Sequence, residues 1–276
     1  MKKWIFSAIG YLLVVIIGYS VYAAFSSQPV EETNVNKHEG HNETGSNNGH
    51  GDHGNHGESE EHKESEVNVE LNVTSAKLNI LLTDKENQPV EELEINHEKL
   101  LHLIIVDEHL EQYYHLHPEE VAPGIYEVDH QLTDGVYKAF VDIKPKSLEY
   151  VTKPVEFTIG EVNEEHSHAS LQVDTELQRE VNGVVTILEP SSLKANEPVT
   201  LSYTFPSNPE LQPYLGALGH VVILDESGTN YIHVHPLSDN ETIFETLFPA
   251  AGIYKIWGEF QIGEEVHVYP FTIEVK

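Results

Sequence analysis

The chain contains the same segment twice. Residues 102–118 align with 220–236 without a gap, and eight of the seventeen positions are identical. Each copy ends on His-x-His-Pro, as His115-Leu116-His117-Pro118 and His233-Val234-His235-Pro236. Each also carries a histidine thirteen residues before that motif, His102 and His220. The echo continues downstream: Gly135-Val136-Tyr137-Lys138 answers Gly252-Ile253-Tyr254-Lys255, and Phe157-Thr158-Ile159 answers Phe271-Thr272-Ile273. A duplication restricts the folded part to two copies of one small domain of about 100 residues, which leaves room in the chain for further segments.

Hydrophobic alternation sets the class of that domain. Short strands are predicted at Val67–Leu71, Lys77–Leu82, Leu101–Val106, Tyr113–His117, Ile125–Val128, Val136–Ile143 and Val155–Ile159. The second copy repeats them at Val184–Leu188, Val199–Phe205, Val221–Leu224, Tyr231–His235, Ile243–Leu247, Ile253–Phe260 and Val266–Val275. Turn residues such as Pro123-Gly124 and Asp134-Gly135 punctuate them, and no helical period intervenes. The expected fold is all-β: two tandem immunoglobulin-like β-sandwiches, residues 67–161 and 169–276.

Two segments precede the sandwiches. Lys2-Lys3 leads an apolar run from Trp4 to Phe25, long enough to span a bilayer as a helix. Residues 1–25 therefore read as a transmembrane anchor whose lysines stay in the cytoplasm, or as a cleaved signal peptide ending near Val21-Tyr22-Ala23. Either reading places the domains outside the cytoplasm: at the cell membrane, single-pass, or secreted after cleavage. Residues 26–66 are poor in apolar side chains and read as a disordered spacer. It carries His38, His41, His50, His53, His56 and His62 among carboxylates, a composition that collects divalent metals loosely.

Charge and sulfur content exclude several functions. The 46 acidic residues against 15 basic ones give a formal net charge of −31, which repels nucleic acid and anionic lipid and favours cations. The chain has no cysteine and one methionine, the first residue, which removes disulfides, thiolate sites and thioether copper sites. No nucleophile signature and no His-Glu-x-x-His motif occurs, so the protein is read as non-catalytic.

The histidines carry the remaining argument. If strands 101–106 and 113–117 form a hairpin turning between His109 and Leu110, His102 stands opposite His117, with His115 diagonal to it and on the same face. Opposed β-carbons are about 5 Å apart and diagonal ones about 7 Å, so three imidazoles can share one ion. The predicted metal ligands are His102, His115 and His117 in the first domain and His220, His233 and His235 in the second. Zinc or copper(II) suits such a set. His267 is a further candidate in the second domain, whereas His97, His109, His130, His166 and His168 read as surface residues. The competing expectation is an envelope protein-interaction module whose histidines hold the strands in place by bonding to separate carbonyls.

Leu101-His102-Leu103-Ile104-Ile105-Val106 leading to His115-Leu116-His117-Pro118, and Tyr214–His220 leading to Tyr231-Ile232-His233-Val234-His235-Pro236, resemble bacterial secreted or membrane-anchored proteins, YtkA-like and heavy-metal-related. The resemblance covers about residues 75 to 276 and implies a bacterial cell-envelope β-sandwich protein. It implies no particular activity.

Overall fold

The computed structural model describes residues 64–276 except Ser75, His97, residues 162–169 and His235. The expected anchor at 1–25, the spacer histidines and His235 lie outside the described residues. Among the described residues no helix is long and apolar enough to cross a membrane.

The fold is all-β, two tandem sandwiches. The first comprises β1 (Asn68–Val73), β2 (Lys77–Thr83), β3 (Leu93–Glu94), β4 (Leu101–Asp107), β5 (Tyr113–Leu116), β6 (Glu119–Ala122), β7 (Ile125–Asp129), β8 (Gly135–Pro145) and β9 (Pro154–Ile159). The second comprises β10 (Gln178–Val181), β11 (Val184–Pro190), β12 (Pro198–Thr204), β13 (Leu211–Gln212), β14 (His220–Asp225), β15 (Tyr231–Val234), β16 (Ile243–Leu247), β17 (Gly252–Ile262) and β18 (Glu265–Val275). One sheet of the first sandwich has the order β1-β2-β7-β6. The other runs β3-β8-β4-β5, with β9 also on β8. In the second sandwich one sheet runs β10-β11-β12-β16, where β11-β12-β16 answers β1-β2-β7, and the other runs β13-β17-β14-β15 with β18 on β17.

Period-two patterning explains the two inner cores. In β2, Leu78, Ile80 and Leu82 point inward, and in β12 Val199, Leu201 and Tyr203 do the same, while their neighbours are half-buried or exposed. These residues pack with Leu103, Ile105 and Tyr137 in the first sandwich, and with Val221, Ile223 and Phe260 in the second.

Strand β4 breaks the one-face rule, since all seven of its residues are buried. Leu101, Leu103 and Ile105 face their own core; Ile104 and Val106 face away from it into a third cluster, with Leu110, Phe140, Val222, Leu224 and Trp257. The two sandwiches therefore pack sheet against sheet, within one compact unit spanning Ser59–Lys276. Each large side chain fully buried in such a cluster contributes about 1.5–3 kcal/mol over exposure. Two aromatic stacks flank the cluster: Tyr113 on Trp257 at 4.9 Å and Phe140 on Tyr231 at 5.1 Å between centroids. Each stack joins one repeat to the other, and the sequence alignment exchanges them. The packing is thus that of a two-fold dimer fused into one chain.

The short strands β3, β6, β10 and β13 were not among the predicted elements, being two to four residues long. The first hairpin strand β5 ends at Leu116, one residue short of the predicted end at His117.

Candidate metal centre

The turn between β4 and β5 sets the register of the first triad. Asp107 Oδ1 accepts from the backbone N–H groups of Glu111 and Gln112, both at 2.7 Å. Leu110 takes a φ of 56° to close the turn. In the second repeat Asp225 Oδ1 accepts from Thr229 and Asn230 at 2.7 and 2.9 Å, and Gly228 takes the equivalent left-handed position at 61°. These turns produce the pairs Leu103↔Leu116 and Ile104↔His115, and Val221↔Val234 and Val222↔His233. The register read from histidine spacing is therefore the one the hairpin adopts, with His102 opposite His117.

His102, His115 and His117 bring one nitrogen each to within 4.8 Å of the others. His102 Nδ1 and His115 Nε2 are 2.9 Å apart. The remaining nitrogens are held from outside. His102 Nε2 donates to the Asn96 carbonyl at 2.8 Å, and His115 Nδ1 shares a 2.6 Å hydrogen bond with Glu259 Oε2. His117 Nε2 is buried with no hydrogen-bond partner among the described residues.

The second repeat builds the same supports. His220 Nε2 donates to the Tyr214 carbonyl at 2.8 Å, six residues upstream as Asn96 is from His102. His233 Nδ1 bonds Asp142 Oδ2 at 2.7 Å. The predicted third member, His235, lies outside the described residues. His267 is elsewhere: its Nδ1 is 3.2 Å from the Val181 carbonyl and its ring stacks on Tyr269.

The two carboxylates cross the interface. Asp142 stands beside His102 on β8, and Glu259 stands beside His220 on β17. Each orients the histidine of the opposite sandwich. Tyr231 also donates to Asp142 at 3.2 Å, while the Tyr113 hydroxyl lies buried near Glu259 without closing a hydrogen bond. Sequence reasoning missed both acids. Their signal was position: each follows the glycine of its Gly-x-Tyr-Lys motif by seven residues, an acid at the same place in both repeats.

The other sandwich covers His102, His115 and His220, while His117 stays half-buried at the edge of the face. His102 is 0 % exposed and His220 1 %. Burial pushes His102, His115 and His117 down to about 3 and His220 down to about 4, each a neutral imidazole at neutral pH. Burial drives Glu259 up to about 7. It acts upward on Asp142 too, but the His233 hydrogen bond and charge outweigh it and hold that carboxyl below its usual value.

Neutral imidazoles converging through one nitrogen, two of them with the other nitrogen fixed by a carbonyl or carboxylate, are the kind of donor set and outer support that a protein metal site uses. Three such groups without a thiolate suit zinc or copper(II). A cleft of about 390 Å³ reaches His117 from solvent, lined also by Glu119, Glu127, Asp129 and Lys77. Its three carboxylates favour cation entry.

Residues 60–162 and 179–276 both match DUF8832, a domain of unknown function. The chain belongs to the DUF8832 family. Its two DUF8832 repeats contain the two sandwiches, so the duplication read from the histidines is a duplication of the family's domain. No curated protein matches the chain. Among solved structures it is similar to a two-domain fibronectin type-III segment of chicken tenascin, at 11 % identity and a TM-score of 0.24, covering 77 % of this chain and 99 % of that one. The Escherichia coli adhesin FdeC gives 11 % and 0.23, covering 78 % and 65 %. The fibronectin(III)-like modules of Clostridium thermocellum CbhA give 13 % and 0.20, covering 75 % and 92 %.

Proposed function

We propose that this DUF8832 protein binds a divalent transition metal, zinc or copper(II), outside the cytoplasm and without catalysing a reaction. The observation that carries the reading is the triad His102, His115 and His117, with nitrogens within 4.8 Å of one another. The outward nitrogens of His102 and His115 are held by the Asn96 carbonyl and Glu259. Histidines kept only for packing have no need to turn their second nitrogens toward a common point. The orphaned, buried Nε2 of His117 fits the same reading, since a lone pair left dry is costly until it finds a partner. The N-terminal segment anchors the protein to the bacterial envelope or directs its export, and the His-rich spacer collects ions at low affinity for the folded site.

Titration of Zn²⁺ and of Cu²⁺ into the full-length protein tests this, with the six spacer histidines replaced by serine to remove their contribution. Tight binding is expected, and it falls at least 100-fold in His115→Ala combined with His117→Ala. Unchanged affinity in that variant, or no binding by folded protein, rejects the reading.

A further inference from the structure

Two separate sites, one per domain, would be the simplest outcome of a duplication, but the packing brings the two sets of histidines together. The His102 ring lies 5.6 Å from that of His233, within 0.5 Å of the separations from its own partners His115 and His117 at 5.2 and 5.1 Å. His115 is 6.1 Å from His233 and 6.4 Å from His220. These distances cross from one sandwich to the other. So do both carboxylate bonds, Glu259 to His115 and Asp142 to His233. The sequence alignment exchanges His102 with His220, His115 with His233 and Asp142 with Glu259, which places a pseudo-two-fold axis between His115 and His233. Across that axis from His102 and His115 stand their described counterparts His220 and His233, with rings 6.1 Å apart.

We propose that the chain holds a single interdomain centre of two adjacent metal ions, one on His102, His115 and His117 and the other on His220 and His233, each set oriented by the carboxylate of the other sandwich. This rests on the metal-binding reading above. Neither sandwich carries a complete site. The first supplies His115 but not the acid that fixes its tautomer, and the second supplies His233 but not Asp142. Outer partners of this kind, when removed, typically weaken metal affinity about 10- to 100-fold. Here that loss crosses the domain boundary. Glu259→Gln, a change in the second repeat, acts on the ion held by the first, and Asp142→Asn does the reverse.

The experiment uses the full-length protein with the spacer histidines replaced and Cu²⁺ as the probe. At two equivalents, electron paramagnetic resonance is expected to show a magnetically coupled copper pair, with loss of the isolated copper(II) signal and a half-field transition. Glu259→Gln and Asp142→Asn should each weaken binding by about tenfold or more. The unsubstituted protein supplies the coupling result even if a variant folds poorly. Full loading with two uncoupled copper(II) signals, or saturation at one equivalent, overturns the shared pair while leaving metal binding intact. Absence of any binding to the folded sites overturns the metal-binding reading and the pair with it.

Discussion

His102 and His115 meet at 2.9 Å through Nδ1 and Nε2, and the atoms around them fix where protons go. A carbonyl only accepts, so His102 Nε2 carries its hydrogen toward Asn96 and Nδ1 is bare. His115 must then turn an N–H toward it, which leaves His115 Nδ1 bare before Glu259. The proton completing the chain sits on the Glu259 carboxyl, whose burial has already raised it to about 7. A metal ion on His102 and His115 needs both facing nitrogens bare, so that proton must leave. Zinc binding to His102 and His115 at pH 6 is expected to release about one proton. Calorimetry in buffers of different ionisation enthalpy measures this, and a buffer-independent enthalpy counts against the proton chain. Acid acts on the same residues in the metal-free protein. Four histidines have folded values of about 3 to 4, below the unfolded 6.5, so the unfolded chain takes up their protons first and stability falls as pH drops from about 6.5 toward 4. Glu259 has the opposite sign between about 7 and 4.5, but it is one group against four. The urea midpoint of the metal-free protein should therefore decline from pH 7 to pH 4.

At the scale of the strand, β4 and β8 serve two cores at once. Phe140 on β8 stacks on Tyr231 of the other sandwich and is fully buried in the shared cluster. Phe140→Ala should cost about 3–5 kcal/mol in urea unfolding. Val121→Ala on edge strand β6, where the side chain is 55 % exposed, should stay within about 0.5 kcal/mol. Equal effects would mean that the interdomain cluster contributes little. The same strands show what could be read in advance. Alternation in β2 and β12 marked an inner face plainly, and the thirteen-residue histidine spacing marked the hairpin register. Ile104 and Val106, on the face of His102, hinted that this side was not wholly polar. What covers it was not legible, because a buried second face and an exposed one with a few apolar residues look alike in one strand. Asp142 and Glu259 escaped for a related reason: their partners lie in the opposite repeat, 91 and 144 residues away.

The whole folded unit should melt as one body. The cluster of Ile104, Val106, Phe140, Val222, Leu224 and Trp257 belongs equally to both sandwiches. Opening either one strips cover from the other. A single calorimetric transition is expected, with calorimetric and van't Hoff enthalpies in agreement. Two resolved transitions would show that the sandwiches unfold independently. Metal should raise the midpoint of that transition, since a ligand held only by the folded state stabilises it by about 2.7 kcal/mol at 100 times its dissociation constant.

The shared apolar face also bears on how the chain is made. When β9 has emerged, the first sandwich can close around its inner core, yet Ile104, Val106 and Phe140 have nothing to lie against. Their cover arrives only when β14 (His220–Asp225) and β17 (Gly252–Ile262) do. At synthesis rates of ~5–20 residues per second that interval is on the order of ten seconds. Throughout it the nascent protein displays an apolar sheet edged with histidines, a surface open to wrong pairings until its own second half arrives to cover it.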